Sequence, residues 1–379
     1  MQVLLCGLRA DPRFEVHHVD ARISDDLQDI GSFRPQKFIR LFKCILQAWW
    51  VRLRYGRMAF YYVPAPAKQS AILRDWVVMT LCRPLFPALI LHWHAYGLGE
   101  WVESVNNWKG KLTRWALGNA DLSIVLNNYN RRDAEVFAPK RIAVVPNGIA
   151  DQFADYEGTL ASKRKARAAA LKALGAVAGN ESRVAGEGIA NLEPVRFLFL
   201  GHLMETKGVF VAIEATMMAN AELRKSNAPW RAHLTLAGGF ASEEDKARVL
   251  EVIGRANETA EDELPCVELA GFLDSGQKKS ALEEADCLVF PTFYEGETQG
   301  LVLLEAMSAG LPLITTSWRG VAEVLPECYP GVVRARSAEA LAAAMMELPR
   351  RADCFLLRRS FNDKFTVQRH LSALKSHLL

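Results

Sequence analysis

Two carboxylates with chemical promise, Glu297 and Glu305, bracket the run Glu297-Thr-Gln-Gly-Leu-Val-Leu-Leu-Glu305 with seven residues between them. Cys287 to Pro291 ahead of them is apolar enough for a buried strand, and Gly300 to Ala309 is rich in helix formers, with Gly310 and Pro312 to stop it. The segment therefore reads strand, turn, helix. A helix start offers unpaired N–H groups and partial positive charge, so Thr298-Gln299-Gly300 is suited to a phosphate, and Gly300 lets a ligand approach the backbone. Glu305 lies about 7.5 Å further along the helix axis. The pair can then touch opposite ends of an extended ligand such as a nucleotide-diphosphate sugar. A surface turn and a solvated amphipathic helix would carry the same residues.

A second candidate is the loop Gly201-His-Leu-Met-Glu-Thr-Lys207-Gly208, which follows the apolar run Arg196–Leu200 and precedes a helical stretch. Lys207 can neutralise a phosphate there. The order of a Walker loop is absent, and Gly-x5-Lys-Gly alone also describes a turn lysine in solvent. The third candidate is His92-Trp-His94, at the C-terminal end of the strand-like Ala88–His92, which is where open parallel sheets place ligand contacts.

The elements that must position these groups alternate. Strands are expected at 15–20, 59–63, 88–92, 120–126 and 141–149, and again at 196–200, 233–237, 267–270, 287–290, 313–316 and 332–334, with helices between them. Met1 to Leu8 reads as the end of a helix stopped at Asp11-Pro12, without the strand and glycine-rich turn that open a nucleotide-binding domain. An upstream strand is the corresponding expectation, to be checked in the genomic sequence before Met1. The division expected is a first domain over 1–156, a linker or insertion over 157–192, a second domain over 193–350, and a C-terminal helix over 351–379 packing back on the first domain.

The chain of 379 residues has a formal net charge of +3, unevenly spread. Residues 1–150 hold 20 Lys+Arg against 12 Asp+Glu, and residues 151–379 hold 26 against 31. Seven cysteines show no CxxC or Cys/His spacing, which points to reduced thiols in a cytoplasmic protein rather than to disulfides or zinc. No apolar run reaches membrane-span length and no signal peptide is evident, so a soluble or peripheral protein is expected. Between Arg34 and Arg74 there are nine basic residues and no acidic one, interleaved at helical spacing with Phe38, Leu41, Phe42, Ile45, Trp49 and Trp50. The Arg34 to Arg57 part suits peripheral contact with a membrane or an anionic or lipid-linked acceptor, and equally a core helix with a solvated basic face. Nucleic acid is not expected, because no nucleic-acid module accompanies the stripe.

Together these pieces resemble the family 4 glycosyltransferases (glycosyl transferases group 1), whose glutamate pair with seven residues between is met by Glu297 and Glu305. The resemblance implies an α/β GT-B fold, two Rossmann-like doubly wound parallel-sheet domains facing a central cleft. It also implies a retaining transfer of sugar from a nucleotide-diphosphate donor to an acceptor hydroxyl, in cell-surface polysaccharide or glycolipid assembly. Glu305 would accept from the ribose hydroxyls, Glu297 would hold the transferred sugar, and His94 would face that sugar. The family's Gly-Arg, four residues, Lys signature is met by Gly201 and Lys207, while His202 replaces the arginine. Thr298, Gln299, Gly300 and Leu301 would line the donor, and Phe272 after Gly271 would lie near the base. No metal or other cofactor is implied. The alternatives are a catalytically inactive nucleotide-sugar binder or scaffold, and a nucleotide-sugar epimerase of the same fold.

Overall fold

A computed structural model describes residues 2–21, 35–105, 107–177, 193–258, 265–351 and 353–379. Its contacts divide the chain into two compact units. The first comprises Met1–Asn147, Glu295–Thr298 and Val367–Leu379, and the second Gly148–Tyr294 and Gln299–Thr366. No helix among the described residues is long and apolar enough to cross a membrane.

The first unit holds a four-stranded parallel sheet of β1 (Ala59–Tyr62), β2 (Ala88–His92), β3 (Leu122–Val125) and β4 (Ile142–Val144), in that spatial order. Around it lie α1 (Gln2–Arg9), α2 (Pro35–Tyr55), α3 (Gln69–Cys82), α4 (Leu98–Ser104), α5 (Trp108–Leu117) and α6 (Arg131–Glu135). Every residue of β3 is buried, as expected of a parallel strand covered on both faces. One face packs Leu91, Leu117, Val125 and Phe137, and the other packs Ile124 and Val145 against Leu4 and Leu8 of α1.

The stretch Glu15–Asp20 does not form the expected strand. Phe14 and Val16 still lean on the Leu4–Ile124 cluster, but they reach it from irregular backbone. His17 is taken up by Glu15 at 2.9 Å and by stacking on Tyr55 at 3.9 Å. Burial of alternate side chains was thus legible, whereas ladder pairing was not.

The second unit holds six parallel strands in the order β10-β9-β8-β5-β6-β7. They are β5 (Glu193–Leu200), β6 (Trp230–Ala237), β7 (Val267–Gly271), β8 (Cys287–Phe290), β9 (Leu313–Thr316) and β10 (Val332–Val333). Its helices are α7 (Ala161–Val177), α8 (Val209–Lys225), α9 (Glu243–Glu258), α10 (Ser275–Glu284), α11 (Leu301–Ser308), α12 (Ala338–Arg351) and α13 (Cys354–Lys364). The last helix, α14 (Val367–Leu378), belongs to the first unit and packs on α1. Strand β5 adjoins both β6 and β8, so the winding reverses between β5 and β8. This is the sheet's topological switch point.

Measured against the sequence-based division, the second unit starts at Gly148 rather than 157, and it keeps α13. The linker expected over 157–192 begins instead with structure: a π-helical turn Tyr156–Leu160 runs into α7, and Leu160 and Leu171 are buried. Arg164 explains the anchoring. It is 6% exposed and donates to the carbonyls of Ala309 (3.2 Å), Ala285 (2.5 Å) and Leu282. These are carbonyls at and beyond the C-terminal ends of α10 and α11, left over by helices that stop there. Residues 178–192 of the expected linker, and Arg34, lie outside the described residues.

Candidate functional site

At the switch point, β5 delivers Gly201-His202 and a 3₁₀ turn, Glu205–Lys207. Gly208 closes the turn at φ 83°, and a side chain there would run into the carbonyl of Pro291, the residue after β8. Only glycine lets the two strand-end loops come this close. They are then tied together, because the Phe293 N–H donates to the Thr206 carbonyl at 2.8 Å. The ammonium of Lys207 lies 4.9 Å from the Tyr294 ring centre and 5.6 Å from that of Phe290, within cation–π range. Both rings come from the neighbouring strand's end, so Lys207 is aimed across the gap. The Tyr294 carbonyl accepts from Trp318 Nε1 at 3.0 Å, which fixes the loop from its far side.

Helix α11 starts at Gly300, at φ 66° and with no side chain capping it. No acidic residue occupies its first turn, so the helix start keeps its partial positive charge for a ligand. Leu303, Leu304, Ala306 and Met307 bury one face of α11 beneath the sheet, leaving Glu305 on the flank. Its Oε1 receives Lys278 Nζ at 2.6 Å, from α10. Its Oε2 is buried and has no hydrogen-bond partner among the described residues. A carboxylate oxygen in that condition is an acceptor with unused capacity.

Lys278 escaped the sequence reading, since nothing in a separation of 27 residues signals the pair. The legible part was its platform: Asp274 and Gln277 form a capping box that sets the first turn of α10. His202 is exposed, with its own carbonyl accepting from Met204 N–H at 3.0 Å. Phe272 projects beyond β7 and is 82% exposed, the most solvent-accessible of the large apolar side chains described.

The first unit brings together a different set. Thr298, 7% exposed, donates its hydroxyl to the His94 carbonyl at 3.3 Å, and its own carbonyl accepts from Asn127 Nδ2 at 2.6 Å. Glu297, half-buried, is thereby held one residue from the His94 backbone. The His94 ring lies 4.1 Å from that of His92, which in turn stacks at 6.4 Å on His370 of α14. His92 is buried, its Nδ1 bonded to the Tyr61 hydroxyl, and His370 Nδ1 meets the Pro146 carbonyl at 2.7 Å. Burial, reinforced by the neighbouring imidazoles, holds the pKa of His92 well below its usual value. His94 keeps contact with solvent, yet the protein around its ring, with the nearby His370, draws its pKa down to about 4. Burial also lowers His370. All three are neutral imidazoles at neutral pH, able to donate or accept a hydrogen bond without carrying charge. Sequence reading singled out His92 and His94, and missed His370 because only the return of α14 to this sheet brings it there.

Of the predicted residues, therefore, Gly201, Lys207, Gly300, Leu301 and Glu305 belong to the strand and helix ends of the second unit. His94, Glu297 and Thr298 belong to the first. Gln299, 2% exposed, is the first residue of the second unit after the crossing.

Comparison with known proteins bears on this arrangement. Residues 194–350 match the family model described as glycosyl transferases group 1. The amylovoran biosynthesis glycosyltransferase AmsK of Erwinia amylovora is 30% identical over 161 residues, 41% of this chain and 36% of that protein. A glycogen synthase of Mycobacterium tuberculosis is 33% identical over 156 residues, 40% of this chain and 33% of that protein. The matches thus span about a third of those relatives' lengths. Among solved structures, HepE of Anabaena in complex with UDP covers 90% of this chain and 82% of its own, at TM-score 0.59 and 14% identity. Sucrose-phosphate synthase of Thermosynechococcus elongatus covers 97% and 86%, at TM-score 0.59 and 17% identity. The shared fold is that of the GT-B glycosyltransferases.

Proposed function

We propose, from the premise that residues 194–350 form a glycosyl transferases group 1 domain, that this chain moves a sugar from a nucleotide-diphosphate donor to an acceptor hydroxyl with retention of anomeric configuration. The observation that carries the reading is Glu305 Oε2, a buried acceptor without a partner, five residues past the uncapped start of α11 at the switch point of the sheet. A ribose diol supplies the donors that this oxygen lacks.

In this reading the diphosphate rests on the first N–H groups of α11, from Leu301 onward, with Lys207 as its cation and His202 as a further donor. Gly201 and Gly300 keep the backbone open to it, and Thr298 and Gln299 shape the turn. Phe272 offers a flat apolar face to the base. Glu297 holds hydroxyls of the transferred sugar, and His94, a neutral imidazole, donates to or accepts from another. The bond from the anomeric carbon to the diphosphate oxygen breaks, and a bond from that carbon to the acceptor oxygen forms on the same face. The acceptor's proton passes to the departing diphosphate. The protein's part is to orient the partners and stabilise the charge that builds on the leaving group. Lys207 and the helix start supply that stabilisation without a metal ion.

The likeness to an amylovoran biosynthesis glycosyltransferase supports a role in assembling a cell-surface polysaccharide or glycolipid, and we set that role in the cytoplasm. Incubation with a panel of nucleotide sugars, read by the rise in melting temperature, identifies the donor, because a ligand that binds only the folded state stabilises it. Glu305→Gln is expected to reduce that rise for the same donor. An undiminished rise would remove Glu305 from the site.

A further inference from the structure

Helix α2 buries one face and displays another that is also apolar. Leu41, Ile45 and Ala48 pack against Val78 and Cys82 of α3, and Trp49 Nε1 donates to the Leu81 carbonyl at 2.9 Å. On the other side Ile39 (57% exposed), Phe42 (55%), Leu46 (45%), Trp50 (58%) and Leu53 (81%) are left in solvent. Their spacing of three or four residues gathers them into an arc of about 80° on the helix, a continuous stripe about four turns long. Single exposed apolar residues need no explanation, but an aligned set of five does.

Within the helix the charge beside the stripe is of one sign, and Asp20, whose carbonyl accepts from Cys44 Sγ at 3.4 Å, approaches it from outside. The helix sequence contains Lys and Arg but no Asp or Glu, and Arg40, Lys43 and Arg54 lie on the flank next to Trp50. Away from the stripe, on the side of α2 that carries Arg52, further basic and apolar groups lie close by. Arg52 donates to the Leu85 carbonyl at 2.6 Å, and Arg83, two residues earlier, donates to the Trp115 carbonyl at 3.1 Å. Leu85 and Trp115 are themselves 41% and 59% exposed.

We infer that this face of the first unit docks on an anionic phospholipid bilayer, with the α2 stripe in the boundary between headgroups and acyl chains and the basic flank on the lipid phosphates. An apolar face bearing Trp, Phe and Leu beside a Lys/Arg flank is what an interfacial helix requires. Each basic residue near an anionic surface adds to the attraction. A second copy seated antiparallel on the same stripe would set basic flank against basic flank. The surface rests on the transferase reading only for the reason that such a protein would visit a membrane.

The test is flotation of the full chain with phosphatidylcholine vesicles, with or without phosphatidylglycerol. The chain is expected to float with the anionic vesicles, to release as salt screens the phosphates, and to stay behind with the neutral ones. Trp50→Ser combined with Leu53→Ser should lower the bound fraction about tenfold or more. Lys43→Gln combined with Arg54→Gln should remove the preference for anionic lipid. Leu250→Ser, which deletes an exposed leucine of the second unit, should change nothing. Equal recovery with both kinds of vesicle, or equal loss with Leu250→Ser, overturns the assignment. So does a dimer in light scattering that Trp50→Ser with Leu53→Ser dissolves, since that gives the stripe to a second copy. The melting shift with nucleotide sugar is expected to survive in all these variants, so failure here and failure of the transferase reading are told apart.

Discussion

Lys207 is held between the rings of Phe290 and Tyr294 at the switch point, where a cation has aromatic neighbours and an uncapped helix start nearby. Lys207→Ala is expected to cost about 1.5–3 kcal/mol of donor binding or transition-state stabilisation, roughly tenfold to a hundredfold in kcat/KM. Steady-state kinetics against the identified donor would read it. Glu297→Ala should depress kcat more than it raises KM, because contacts to the transferred sugar matter most while its bond is breaking. The imidazoles make a separate prediction about stability. His92 has a folded pKa well below the value of about 6.5 for an unfolded histidine. The unfolded chain therefore binds more protons than the folded one below that value, and stability present above about pH 6.5 is lost as pH falls. Melting temperatures at pH 7 and pH 5 should differ more for the wild type than for His92→Gln. Parallel slopes would show that His92 is not buried in its neutral form.

Among the elements, α7 was the least legible from sequence. Its Lys/Arg/Ala-rich composition reads as a solvated helix in a linker, and the carbonyls that Arg164 caps lie more than a hundred residues away. Arg164→Met removes three acceptors' partner at once and is expected to destabilise the second unit by about 2–4 kcal/mol, read as a lower urea midpoint at unchanged slope. A change under about 0.5 kcal/mol would show that water replaces the guanidinium freely. The strands were more legible. Cys287–Phe290 and Leu313–Thr316 are short apolar runs between turn signals, buried on both faces as such runs predict. Glu15–Asp20 carried alternation without pairing, because alternation reports which side chains can be buried and not whether a ladder partner is in reach. The site divides along the same line. Lys207, Gly300 and Glu305 could be found because they sit at fixed offsets from a strand end or helix start. Lys278 and His370 could not, because each is brought in by a different element.

At the scale of the whole molecule, two parallel α/β units carry the residue set. Charge is also partitioned: the basic excess falls in the first 150 residues, where α2 presents its stripe. Because Lys207 and the start of α11 are proposed to do the work of a metal ion, turnover is expected to be unchanged by EDTA; complete loss restored by added divalent cation would refute that part. The central claim is best tested by one measurement. The chain is incubated with the nucleotide sugar that stabilises it and with a hydroxyl acceptor, and the nucleoside diphosphate released and the anomeric configuration of the product are followed by NMR. The account predicts stoichiometric release of nucleoside diphosphate with a product of unchanged anomeric configuration, both lost in Glu297→Ala. Release of no nucleoside diphosphate, an inverted product, or an epimerised nucleotide sugar formed without acceptor would contradict it.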